Sequence, residues 1–153
     1  MKKQQNTNLI TAIYCRLSKD DLLKGDSMSI QNQRDLLTRY AKDNGFGNIR
    51  YFADDGYTGT NFNRPAFQEM LAEIENGNVG TVIVKDLSRF GREYLMTGYY
   101  TEMVLPEYNV RFIAVSDGVD SEEGYNDFAP FKNIINEWYT LLLKKHLRPI
   151  RYQ

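Results

Sequence analysis

The chain has 153 residues and a mass of 17.8 kDa, room for one ordinary domain. Charged residues make up 25% of it and apolar residues 42%, which excludes wholesale disorder and collagen-like chains. Nineteen Lys+Arg face 20 Asp+Glu, giving a net charge of -1 and a pI near 5.9, a balance unlike that of a free-standing nucleic-acid binder. No apolar run approaches the roughly 18 residues of a membrane span, and the polar start MKKQQNTN is not followed by the apolar core of a secretion signal. The single cysteine, Cys15, excludes an internal disulfide and a thiolate metal cluster, and fits a reducing cytosol.

Residues 1–8 are polar and are expected to fray. Leu9–Cys15 then reads as a buried strand, short and rich in β-branched residues. Ile30, Leu36, Leu37, Tyr40 and Ala41 recur at helical spacing, so Met28 to Asp43 reads as a helix with Ser29 as N-cap and Asn44-Gly45 as its stop. Ile49–Ala53 is a second short strand, followed by an irregular stretch from Asp54 to Asn61 in which Asp54 and Asp55 are expected to shape a turn. Asn63-Arg64-Pro65 places proline in the first turn of a helix whose apolar face is Phe67, Met70, Leu71 and Ile74 and which ends at Asn76-Gly77.

Val79–Val84 is a nearly continuous apolar run, as in a strand covered on both faces. Tyr94 to Leu105 reads as a helix closed by Pro106, and Val110–Val115 as the fourth strand. Asp117–Asp127 reads as a loop carrying five acids and no base. Phe128, Phe131, Ile134, Ile135, Trp138 and Leu142 stripe a last helix. The order β-α-β-α-β-α-β-α predicts an α/β fold, a mostly parallel sheet of four to five strands flanked by helices and ending in a C-terminal helix.

Several chemistries have no place here. There is no G-x-x-x-x-G-K-[ST] phosphate loop, and no G-x-G-x-x-G follows the first strand. The one histidine, His146, lies in the tail, so a Ser-His-Asp triad or an H-E-x-x-H zinc site lacks its parts. Tyrosine-based DNA strand transfer has tyrosines to choose from but lacks the His/Arg groups expected around the nucleophile.

What remains is arginine and serine at strand ends, where open α/β sheets bind their ligands. Tyr14-Cys15-Arg16-Leu17-Ser18 ends the first strand, the loop after the second ends at Arg64, and Lys85 to Glu93, with Arg89 and Arg92, follows the third. On one helical turn, the i,i+3 spacing of Arg89 and Arg92 puts both guanidinium groups on one side, with Gly91 allowing close backbone approach. Guanidinium groups are permanently charged and fork-shaped, so they match phosphate oxygens. A serine among them is equipped for in-line attack on a phosphodiester, with the arginines balancing charge that develops on the non-bridging oxygens. Each residue also has a plainer role: Arg16 as a surface ion-pair partner, Ser18 as a turn residue, Cys15, Trp138, Tyr99 and Tyr100 as packing.

Tyr14-Cys15-Arg16-Leu17-Ser18 resembles the Y-x-R-x-S start of the serine recombinases, the resolvase/invertase family. Lys85-Asp86-Leu87-Ser88-Arg89-Phe90-Gly91-Arg92 is similar to that family's second signature, Ser29 to Arg34 to its first-helix motif, and Asp55 to Pro65 to its mobile loop. Asp127 to Phe131, leading to Asn136 to Tyr139, resembles the large serine recombinases of conjugative and mobilisable transposons. The resemblance covers about residues 9–139 and implies site-specific DNA strand exchange in a bacterial cytoplasm. It implies that Ser18 attacks a DNA phosphate to form a 5′-phosphoseryl linkage, with Arg16, Arg89 and Arg92 around the scissile phosphate and Arg64, Gln33, Ser88 and Asp86 in support.

The resemblance further implies a double-stranded DNA recombination site as partner and a homo-oligomer, a dimer that becomes a tetramer in synapsis. No metal, cofactor or membrane is expected. Two features depart from the family. Ser88 stands where small resolvases carry an aspartate, with Asp86 two residues earlier, and residues 140–153 differ from the polar, charged helix with which large members continue. The downstream DNA-binding domains are expected to be absent. Two alternatives stay open: a metal-dependent phosphoryl-transfer domain using Asp54, Asp55, Asp86 or Asp117, and an inert dimerisation fragment.

Overall fold

The structure, a computed structural model, describes residues 8–18, 29–58, 62–91 and 93–123. Residues 1–7 of the expected 1–8 fray, Arg92, the last helix with Trp138, and the tail at 140–153 lie outside them. Strands β1 (Ile10–Leu17), β2 (Ile49–Asp55), β3 (Val79–Val84), β4 (Arg111–Ala114) and β5 (Val119–Asp120) form one sheet in the order β2-β1-β3-β4-β5. The first four run parallel, and β5 returns antiparallel to β4, pairing Val119 with Ala114.

Helix α1 (Ile30–Asp43) joins β1 to β2, and α2 (Pro65–Glu75) joins β2 to β3. Strand alternation divides the core between the two faces of the sheet. Ala12 and Tyr14 pack with Phe52, Phe67, Met70, Ile74 and Phe112, under α2. Ile13 and Cys15 pack with Ile83, Ile113, Leu37 and Ala41, under α1. Gln33, Leu37 and Ala41, four residues apart, are the buried line of α1, so an amide sits in register with two apolar residues. Ser29 caps α1 by accepting from Asn32 N at 3.1 Å, and Gly45, at φ +78°, follows its end.

Three segments differ from expectation. The run from Tyr94 is not one α-helix closed by Pro106. It divides into α4 (Tyr94–Tyr99), a π-helical stretch (Tyr100–Val104) and a short turn α5 (Leu105–Glu107) containing the proline. Proline lacks an N–H, and in a regular helix its ring would crowd the carbonyl four residues back. The wider turn, with Leu105 N bonded to Tyr100 O, accommodates it.

The acidic segment after β4 is not wholly loop, because Asp120 accepts both forks of Arg111 at 3.0 and 2.6 Å and this pair anchors β5. The helical turn expected to carry Arg89 and Arg92 together is also cut short. Helix α3 (Leu87–Phe90) stops before Gly91, which is extended at φ -176° and ψ 147°. A Cβ at Gly91 would fall against the Phe62 ring and 2.7 Å from Thr97 Oγ1, so it is space, not torsion angle, that requires glycine.

Candidate active site

Arg16 lies one residue before the end of β1, pairs in register with Asp54 of β2, and is fully buried rather than a surface residue. Its guanidinium donates through Nε to Arg89 O at 3.1 Å, through Nη1 to Tyr57 O at 3.1 Å, and through Nη2 to Ser88 O. Gln33 fixes its backbone: the amide nitrogen donates to Arg16 O at 3.0 Å and the amide oxygen accepts from Arg16 N at 3.3 Å. Ser18 follows two residues later and is 4% exposed.

The turn 88–90 is where the arginines meet. Arg89 is buried and donates through Nη1 back to Arg16 O at 3.3 Å. Arg64, also buried, donates to Arg89 O at 3.3 Å and to Phe90 O. Carbonyl oxygens carry no net charge, so these bonds orient the guanidinium groups without neutralising them. Burial pulls the Arg64 guanidinium below its ordinary value, and the neighbouring Tyr14 and Asp54 act in the opposite sense.

Of the acids proposed as metal ligands, Asp54, Asp86 and Asp117 are engaged in other bonds. Asp86 caps α3, accepting from Arg89 N at 3.2 Å and from the Ser88 hydroxyl, with Lys85 Nζ at 3.6 Å and Arg89 Nε at 3.8 Å from its other oxygen. Asp117 accepts from Leu87 N at 2.7 Å. Asp54 and Asp55 belong to β2 rather than to a turn. Among the described residues no three His, Cys, Asp or Glu side chains gather into a group able to hold a metal ion. Cys15 is buried packing, as expected, and burial pushes its thiol up to about 12.

The structure thus brings Arg16, Gln33, Arg64, Ser88, Arg89 and Asp86 together at the ends of β1 and β3. Asp54 is the residue that sequence reasoning undervalued. Its carboxylate accepts from Ala66 N at 2.9 Å and Phe67 N at 3.0 Å and so caps α2, because Arg64 at the N-cap offers no acceptor of its own. That missing acceptor was visible in the sequence, and the carboxylate that supplies it was not. Among the described residues no helix is long and apolar enough to cross a membrane.

The chain is 28% identical over 144 residues to a Bacillus subtilis (strain 168) protein named "Putative DNA recombinase", covering 93% of this chain and 27% of that protein. It therefore spans about a quarter of that relative's length. The crystal structure of the N-terminal catalytic domain of TP901-1 integrase superposes with a TM-score of 0.71 at 29% identity, over 87% of this chain and 98% of the other. A resolvase family site-specific recombinase from Streptococcus pneumoniae shares the fold, with a TM-score of 0.65 at 24% identity over 94% and 97% of the two chains. The family model "Resolvase, N terminal domain" matches residues 11–149. The chain belongs to the resolvase family of serine recombinases and has the fold of its N-terminal catalytic domain.

Proposed function

We propose that this chain is the catalytic domain of a site-specific DNA recombinase in which Ser18 is the nucleophile. The observation that carries the reading is the mutual bracing of Arg16 and Arg89 next to Ser18, with Arg64 holding the same turn. Ser18 Oγ forms a bond to the scissile phosphorus while the bond from phosphorus to the 3′ oxygen breaks. The serine proton leaves to solvent, and the departing 3′ oxygen takes one up. The 5′-phosphoseryl ester keeps the bond energy, so attack by a 3′-hydroxyl of another strand restores the phosphodiester without ATP.

Arg16, Arg89 and Arg92 contact the phosphate, and Arg64, Gln33, Ser88 and Asp86 hold Arg16 and Arg89 in place. Main-chain carbonyls of Tyr57 and Ser88 occupy Arg16 donors that phosphate oxygens take over when DNA binds. An electrostatic donor of this kind is worth on the order of 10²–10³ in rate. The partner is a double-stranded recombination site, engaged by a dimer that becomes a tetramer in synapsis, in the bacterial cytoplasm. Residues 9–139 form the catalytic unit, and grip on DNA comes from parts of the enzyme beyond this domain.

The test is covalent attachment to a nicked duplex carrying the recombination site, with and without EDTA. Wild-type protein should attach in the presence of chelator and Ser18→Ala should not. Chelator-sensitive cleavage that survives Ser18→Ala would sink the reading and favour a metal-dependent nuclease.

A further inference from the structure

Arg64 is held in a setting that phosphate binding alone does not require. Its guanidinium carbon lies 4.7 Å from the centre of the Phe67 ring, 4.9 Å from Phe62 and 5.5 Å from Tyr14. Its 2.7 Å bond through Nη1 goes to the phenol oxygen of Tyr14, and the same nitrogen reaches Arg89 O at 3.3 Å. Tyr14 in turn donates to Asp54 Oδ2 at 2.7 Å.

The Asp54 carboxylate is immobilised by the first N–H groups of α2, and the Tyr14 ring by edge-on contact with Phe67 at 5.7 Å. A phenol can donate one hydrogen bond and accept others, so it alone in this group can join a carboxylate to a guanidinium without bringing their charges into contact. Burial pushes the Tyr14 phenol well above its ordinary value, which keeps the donated proton on oxygen across the working pH range.

The geometry points to Tyr14 as a positioning residue: with Asp54 behind it, its hydroxyl sets the orientation of Arg64, and through the carbonyls of Arg89 and Phe90 the placement of the turn that carries Arg89. This rests on the recombinase reading for its catalytic consequence, but its structural half stands alone. The chain runs Asp54 to Tyr14 to Arg64 to the 89–90 backbone, and every link is buried. Tyr14→Phe removes one oxygen atom and leaves both the ring packing and the cation-aromatic contact in place.

The test combines guanidinium ¹⁵N NMR with a double-mutant cycle on the rate of covalent attachment to nicked duplex. In the wild type the Arg64 Nη signals should be resolved and slowly averaged. In Tyr14→Phe they should average while the melting temperature stays close to wild type. Attachment should slow about tenfold in Tyr14→Phe, and the same substitution should add nothing in an Arg64→Ala background. Unchanged Arg64 signals, or an equal slowing in both backgrounds, would overturn the assignment. If no version of the protein attaches to DNA even with a DNA-binding domain tethered to it, the recombinase reading fails, and the NMR signals alone still decide whether Tyr14 orients Arg64.

Discussion

The Gln33 side-chain amide satisfies both main-chain polar groups of Arg16, donating to its carbonyl at 3.0 Å and accepting from its N–H at 3.3 Å. An element on one face of the sheet thereby fixes the backbone two residues before Ser18. Gln33→Leu keeps the volume and removes both bonds in a fully buried place. Stability should fall by about 2 kcal/mol, the cost of stranding buried polar groups. Urea denaturation measures this, and the attachment rate should fall further than the folded fraction explains.

Gly91 is a steric requirement. Since φ -176° suits any residue, Gly91→Ala has no torsional cost, and its effect comes from the Phe62 ring and Thr97 Oγ1. Overpacking of this sort costs roughly 1–3 kcal/mol. Phe62→Leu should relieve part of it, so the double variant should be more stable than the sum of the single losses. Strict additivity in thermal melts would mean that the two residues do not collide.

Asp86 serves the turn that bears Arg89 as a hydrogen-bond acceptor. It caps the four-residue helix bearing Arg89 and accepts from the Ser88 hydroxyl. Asp86→Asn retains an acceptor oxygen and should stay near wild type in stability, whereas Asp86→Ala should lose about 1 kcal/mol. Attachment rates should rank wild type, Asn, then Ala. Loss of activity in Asp86→Asn equal to that in Asp86→Ala would require its charge instead.

Burial raises the Cys15 thiol from its ordinary 9.0 to about 12, so the folded state favours the protonated form. For a group raised on folding, the stabilisation is whole below the unfolded value and drains away as pH climbs toward the folded one. The denaturation midpoint should therefore begin to fall above pH about 9 and continue falling toward 12, with Tyr14, raised in the same sense, adding to the loss at the upper end. Cys15→Ala should be less stable at neutral pH but show a shallower alkaline slope. At pH about 8 a thiol reagent should label the native protein only as fast as it unfolds.

Most of the architecture was legible because it rests on local pattern. β3 falls on Val79–Val84 as expected from its unbroken apolar run, and Ser29, Gly45, Pro65 and Gly77 mark helix ends as their chemistry predicts. What sequence pattern missed is how neighbouring elements adjust to one another in space. The π-helical stretch accommodates Pro106, β5 is anchored by the pairing of Arg111 with Asp120, and Gly91 after α3 lies where Phe62 and Thr97 leave no room for a Cβ. At the site, Arg16, Arg64 and Arg89 meet near the ends of β1 and β3, while Arg92, expected beside them, lies outside the described residues. The bond from Tyr14 to Asp54 spans forty positions and follows only from the parallel register of β1 on β2.

If Ser18 is the nucleophile, it carries the DNA phosphate after strand cleavage. The most direct measurement is peptide mapping by mass spectrometry after reaction with a nicked duplex and digestion of protein and DNA. A nucleotide 5′-phosphate should appear on the peptide containing Ser18, fragmenting to that residue. A phosphate mapped to any other side chain, Tyr14 included, or cleavage that leaves the protein unmodified, would contradict it.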